Sequence, residues 1–204
     1  MGRVLMMRKG ALRGAASLLP EGYTVLNYIE SNGAQYIDTG IMPNTNTSIS
    51  VDFKMESSAA SQFVYGCRTS SYTNNFILLI SSANSSFRSG FGSELLSFSI
   101  SELTNRYKAF HSKEKCQIGT NELAHSGVDF TSTLSMYLFC ANEGGTAKYF
   151  SSMKLYACKI YDGEKIVRDF VPCIDPTSKV GLYDKVSKTF FGNSGTGTFV
   201  GGNA

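Results

Sequence analysis

Few side chains in this chain could carry a reaction. His111 and His125 are the only histidines among 204 residues, and they lie in different segments. A nucleophilic triad or a zinc site would have to be assembled almost wholly from other residue types, so both histidines read as loop or strand-end side chains. A retaining glycosidase needs two carboxylates roughly 5–5.5 Å apart, which acidic residues alternating along one strand supply. No such run occurs; Lys113-Glu-Lys and Arg168-Asp169 instead alternate acid with base, the pattern of ordinary ion pairs. Gly192-Asn-Ser-Gly-Thr-Gly resembles a phosphate-cradling loop, but no Lys and no helical pattern follow it, and two tight turns explain its glycines better. Arg168-Asp169 with Asp175 and Asp184 reads as a structural network holding the last strands. A calcium site built from Asp and Asn oxygens is the sharper alternative, but no D-x-D-x-D-G loop is present. No catalytic residue, metal or cofactor is expected.

Recognition leaves a stronger trace than reactivity. Sugar binding calls for an aromatic plane and for amide or guanidinium groups, and Trp, the usual plane, is absent. The replacements cluster in Arg68-Thr-Ser-Ser-Tyr-Thr-Asn-Asn, where Tyr72, Asn74 and Asn75 with Arg68, and Arg88 on a following strand, form a candidate carbohydrate site. The plainer reading is a turn, where Tyr and Asn are common. At the other end of the chain, residues 1–17 form a basic arm containing Arg3, Leu5, Met6, Met7, Arg8, Lys9, Leu12 and Arg13. It is either a solvated tail or a peg whose apolar residues insert into a larger assembly while its cations meet acidic groups. Ordering such a segment costs about 1–2 kcal/mol per residue, so a docked arm needs a wide contact surface.

Composition sets the class. Charged residues make up 17%, against roughly 25% in a typical soluble domain. A net charge of +3 without a clustered basic face is no footprint for nucleic acid. Val4 to Met7 is too short for the apolar region of a signal peptide, and no run is long enough to span a bilayer, so neither a secretory leader nor a membrane partner is expected. Cys67, Cys116, Cys140, Cys158 and Cys173 stand singly and in odd number, which fits buried free thiols made in a reducing cytoplasm.

From Tyr23 onward, short apolar runs recur every 8 to 14 residues between Gly, Asn and Ser, the spacing of an all-β sandwich or barrel. Strands are expected near 25–30, 34–39, 47–55, 62–67, 74–81, 86–91, 94–99, 105–111, 114–119, 134–141, 152–162, 165–171, 179–184 and 188–191. Residues 48–55 alternate cleanly, with Ile49, Val51, Phe53 and Met55 on one face. Residues 75–81 and 134–141 are apolar on both faces and read as central strands.

Leu19-Pro-Glu-Gly-Tyr, Tyr28-Ile-Glu-Ser-Asn-Gly-Ala-Gln-Tyr-Ile-Asp-Thr-Gly, Leu155-Tyr-Ala-Cys-Lys-Ile-Tyr-Asp, Arg168-Asp-Phe-Val-Pro-Cys and Gly181-Leu-Tyr-Asp follow one another along the chain. In these elements it resembles the concanavalin A-like, laminin-G-type jelly-roll domains of tailed-phage virion proteins and gut-bacterial surface proteins. The resemblance implies a two-sheet antiparallel jelly-roll sandwich over residues 18–204, about a dozen strands, with the terminal strands closing one region. It further implies a non-enzymatic virion decoration protein, made in the host cytoplasm and displayed in many copies or as a homo-oligomer on the virion surface. Its arm would meet phage capsid or tail proteins and its sandwich glycans. A free or cell-surface carbohydrate-binding module of a gut bacterium is the alternative, and a glycan hydrolase the weaker one. Fold does not imply function on so widely used a scaffold.

Overall fold

A computed structural model describes residues 19–59, 61–69, 73–81 and 86–203. The proposed arm and Tyr72 lie outside these residues. Strand β4 (Thr47–Met55) shows how the chain builds sheets: Ile49, Val51, Phe53 and Met55 are all buried on one face, as the alternation requires. The first sheet runs β11 (Asn121–Ala124), β10 (Lys115–Ile118), β9 (Arg106–His111), β4, β15 (Ser152–Asp162), β16 (Lys165–Ile174), β17 (Val180–Asp184), β18 (Thr189–Phe191). The eleven-residue β15 organises it. One side of β15 pairs along β4, while the other is shared between β2 (Tyr28–Asn32) and β16. The outermost described strands join the same sheet, β1 (Thr24–Val25) on β16 and β19 (Val200–Gly202) on β2.

The second sheet runs β14 (Thr146–Lys148), β13 (Ala141–Glu143), β5 (Gln62–Arg68), β6 (Asn75–Ser81), β7 (Ser86–Gly92), β8 (Glu94–Ser97). Short strand β12 (Tyr137–Leu138) lies between β3 (Ile37–Asp38) and β5. Pairing in both sheets is antiparallel apart from β13 on β5. The inner faces share one core, in which Val51, Phe53, Leu155 and Ile160 of the first sheet join Phe76, Leu78, Ile80, Phe87 and Phe91 of the second. Phe53 and Phe87 meet edge to face at 5.8 Å across the layers. The described residues contain no helix.

All five cysteines are buried and free. Burial pushes the Cys67 thiol up to about 11 and those of Cys116 and Cys173 to about 12, which makes them inert small hydrophobes.

The stretch 134–141 is not one central strand. Phe139 has φ +71° and divides it into β12, antiparallel to β5, and β13, parallel to β5, so the chain reverses between them. Burial holds Phe139 there: its N–H donates to Val64 O, and its ring packs 4.9 Å from Phe199. Continuous apolarity reports that both faces are covered; it carries no information about backbone direction. Strands β11, β14 and β19 are also absent from the sequence reading. They are short, and β11 and β14 are largely exposed while β19 is Val-Gly-Gly, so they lack the apolar alternation that marks longer strands.

Candidate functional site

The outer face of the second sheet is unusual because it too is apolar. Phe63, Ile77 and Ala141 form a buried cluster there, separate from the main core, with Leu79 and Leu95 packed on it. Glycines shape its floor. A Cβ on Gly66 or Gly90 would stand 2.8 Å from Ile77 side-chain atoms, so these two bare positions leave room for Ile77 between them. Above lies a concavity of about 150 Å³, walled by Phe63, Leu79, Leu95 and Tyr149 and flanked by Ser61, Ser81, Arg68 and Arg88. Ser61 and Tyr149 both hold φ +59°, a left-handed conformation uncommon outside glycine and concentrated at functional sites.

Two of the five residues expected to bind sugar therefore converge: Arg68 from the end of β5 and Arg88 from β7. Asn74 sits half-buried at a bend with φ +55°, and Asn75 is buried; neither lines the concavity. Tyr72 lies outside the described residues. The aromatic plane that sequence reasoning missed is Tyr149, 37% exposed. Its signal is faint, a lone Tyr-Phe pair after the short β14, and only tertiary contact brings it to Phe63, whose ring stacks on it at 5.3 Å.

The two arginines differ in their electrostatics. Arg68 is buried, with its guanidinium 5.1 Å from the Phe63 ring centre and 5.0 Å from that of Tyr149. It donates through Nε to Glu143 Oε2 at 2.6 Å, and Lys148 Nζ donates to the other oxygen at 2.9 Å. Burial by itself would raise the Glu143 carboxyl; Lys148 and Arg68 outweigh it and hold it below the ordinary range. Among the described residues Arg88 has no such neutralisation, and its Nε is buried without a hydrogen-bond partner there. On the outer face of the first sheet, by contrast, Arg106 is bound in a two-pronged pair to Asp52 at 2.7 and 2.9 Å, and Lys154 meets Glu56 at 3.2 Å.

Replacing Arg68 by Met is expected to cost about 3 kcal/mol, the low end for breaking a buried ion pair because Lys148 still serves Glu143. Urea denaturation checks this, and the double variant Arg68→Met/Glu143→Gln should recover most of the loss. A single-variant cost under about 1 kcal/mol would mean that the pair behaves as a surface one.

The histidines also come together, contrary to their separation in sequence. His111 ends β9 and His125 follows β11, and their Nε2 atoms are 3.1 Å apart in the interior. His111 Nδ1 lies 2.8 Å from the Tyr65 hydroxyl, and His125 Nδ1 lies 2.9 Å from Glu94 Oε2. One proton arrangement satisfies every contact: Tyr65 O–H donates to His111 Nδ1, His111 Nε2–H to His125 Nε2, and His125 Nδ1–H to Glu94. This chain ties edge strand β8 of one sheet to edge strand β11 of the other. His111 is fully buried and stacks on Phe76 at 4.7 Å, out of reach of any substrate. The chain is a structural tie.

The acidic network near the last strands is also structural in its contacts. Asp184 is fully buried and accepts from the amides of Asp169, Val186 and Ser187 at 2.8–3.1 Å, with Arg168 3.7 Å away. Asp175 Oδ1 accepts from the amides of Thr177 and Lys179. No cluster of three or more metal-ligating side chains occurs among the described residues. The 192–197 segment bends alongside residues 34–36, Ser194 N donating to Tyr36 O and Thr196 N to Ala34 O. Asn193 Oδ1 accepts from the amides of Tyr36 and Gly195, and Gly195 lies so close to Ala34 O that a Cβ would stand 2.3 Å from it.

The fold and the concavity define an all-β protein of two facing sheets with an apolar, arginine-flanked depression on one outer face. Compared with models of known families and with curated proteins, the sequence matches none.

Proposed function

We propose that this protein is a non-catalytic recognition module, a jelly-roll sandwich of concanavalin A-like type that holds a saccharide in the depression over Ile77. The observation that carries this reading is the meeting of a half-exposed Tyr149 ring, an apolar floor and guanidinium groups in one concavity. A ring face and apolar floor suit the C–H face of a sugar, and forked donors suit its oxygens. None of the described residues lining the concavity is an acid, a histidine or a cysteine, which favours binding over hydrolysis. A glycan array tests the reading. Tyr149→Ala should weaken binding about tenfold, or about 1.4 kcal/mol. Binding insensitive to Tyr149 would remove the site, and release of free sugar from a bound glycan would restore the hydrolase.

The place of the sandwich on a phage head or tail is part of the same proposal. It rests on the sequence resemblance and on the basic, apolar make-up of residues 1–17. Deleting those residues is expected to leave thermal unfolding unchanged and to abolish incorporation into particles. Unchanged incorporation would favour a free or cell-surface carbohydrate-binding module.

A further inference from the structure

We infer that the depression selects an acidic sugar, one whose carboxylate is received by Arg88; this rests on the saccharide reading above. Charge balance leads to it. Glu143 already compensates Arg68, whereas Arg88 has no carboxylate partner among the described residues, so the concavity carries uncompensated positive charge. A buried guanidinium N–H without an acceptor is costly, and a native orphan of this kind calls for an explanation. Ser86 adds a second one. It lies two residues before Arg88, on the same face of β7 and paired with Ser81 at the rim, and its hydroxyl oxygen is also buried without a partner. An unpaired donor on a residue lining an open concavity, with a second just behind the rim, fits an acceptor that arrives with a ligand.

The chemistry of the acceptor follows from the donors and the space. A guanidinium presents parallel N–H groups that match the two oxygens of a carboxylate. Pockets that enclose drug-sized ligands measure roughly 300–1,000 Å³, so about 150 Å³ admits one terminal ring or part of one and no extended chain. The Tyr149 ring and the Leu79 and Leu95 side chains then contact the carbon skeleton while the carboxylate turns to Arg88. An acidic peptide would use the charge but leave this apolar wall and aromatic plane without a role.

The test measures binding of the full-length protein by calorimetry to a sialylated trisaccharide and to a glucuronate-terminated oligosaccharide. Each is compared with its counterpart in which the carboxylate is reduced to an alcohol. Reduction should weaken binding at least tenfold, and added salt should weaken only the acidic forms. Arg88→Gln should reproduce the loss, with Arg88→Lys intermediate. The reduced sugars probe the unaltered protein, so the outcome holds even if a variant folds poorly. Equal binding of acidic and reduced sugars would overturn the acid selectivity while the saccharide reading stands. Failure of every sugar at millimolar concentration would remove both. Stronger binding of a sulfated saccharide or a polyglutamate peptide than of either carboxylated sugar would overturn the assignment in favour of that ligand.

Discussion

Acidification from pH 7 to pH 5 is expected to destabilise this protein, by at most about 2 kcal/mol, through one residue, His111. Its full burial, and then the neighbouring His125, hold its pKa well below the ordinary histidine value. The sign follows from proton counting. Below about pH 6.5 the unfolded chain takes up a proton that the folded chain refuses, so stability is complete above that value and falls by at most about 1.4 kcal/mol per pH unit beneath it, until the lower folded pKa is passed. The groups around His111 leave no room for a compensating anion. Tyr65 faces it from β5, Phe76 from β6, Phe91 from β7 and His125 from beyond β11, while Cys116 is its cross-strand neighbour on β10. Glu94, the carboxylate that ends this hydrogen-bond series, is reached only through His125. A third proton on the two rings would set two N–H groups against each other at 3.1 Å or reverse the chain, leaving the Tyr65 hydroxyl proton without an acceptor. Between pH 7 and 5 few carboxylates titrate, which separates this effect from ordinary acid unfolding. Urea melts across that range check it. His111→Phe keeps the stacking on Phe76, should cost about 1–3 kcal/mol at pH 7 by orphaning its two partners, and should flatten the pH dependence. A slope that survives this substitution would place the acid sensitivity elsewhere.

Asp184→Ala is expected to destabilise by about 3 kcal/mol, because charged hydrogen bonds contribute about 1.5–3 kcal/mol each and unmet buried donors cost a further 1–3. Three amides lose their acceptor, those of Asp169 in β16 and of Val186 and Ser187 in the turn to β18. Arg168 loses a nearby counter-charge at the same time. Val186 and Ser187 are exposed, so water should relieve part of the loss at their amides. Asp184→Asn, with one acceptor oxygen instead of two, should fall between. Burial alone would raise this carboxyl, but the amides of Asp169, Val186 and Ser187 and the Ser187 side chain outweigh it and hold it below its ordinary value. Its contribution is therefore present above about pH 3.9, the unfolded value, and is lost as pH falls through the lower folded one. That window lies below the histidine one, so the two residues separate in a single pH series. Because amides occupy the Asp184 oxygens, chelator or added calcium should leave the melting temperature unchanged; a calcium-dependent rise would revive the metal alternative.

Much of the sheet architecture was legible because alternation along a strand is a local property. Thr47–Met55 and Ser152–Asp162 have the bounds that their patterns indicate; the first buries one face along its whole length, and the second buries Met153 and Leu155 and then, past a bulge, Cys158 and Ile160. The reversal at Phe139 was not legible. A left-handed backbone at a bulky residue is held by contacts with Val64 and Phe199, which are distant in sequence. The candidate site divides in the same way. Arg68 and Arg88 were legible as guanidinium donors, one opening the 68–75 segment and one on a following strand, but Tyr149 reached them only through the pairing of β13 with β5. Asn75 matched in residue type and then proved buried.

By itself, then, the sequence determined an all-β chain poor in catalytic side chains, because residue type and strand periodicity are written in neighbouring positions. Only the tertiary structure decided that two distant histidines share a proton chain, that one arginine is neutralised and the other is not, and that two glycines bare a floor beside Tyr149. Each of those depends on which strands lie side by side, and long-range pairing is set by the packing of the whole rather than by any local run of residues.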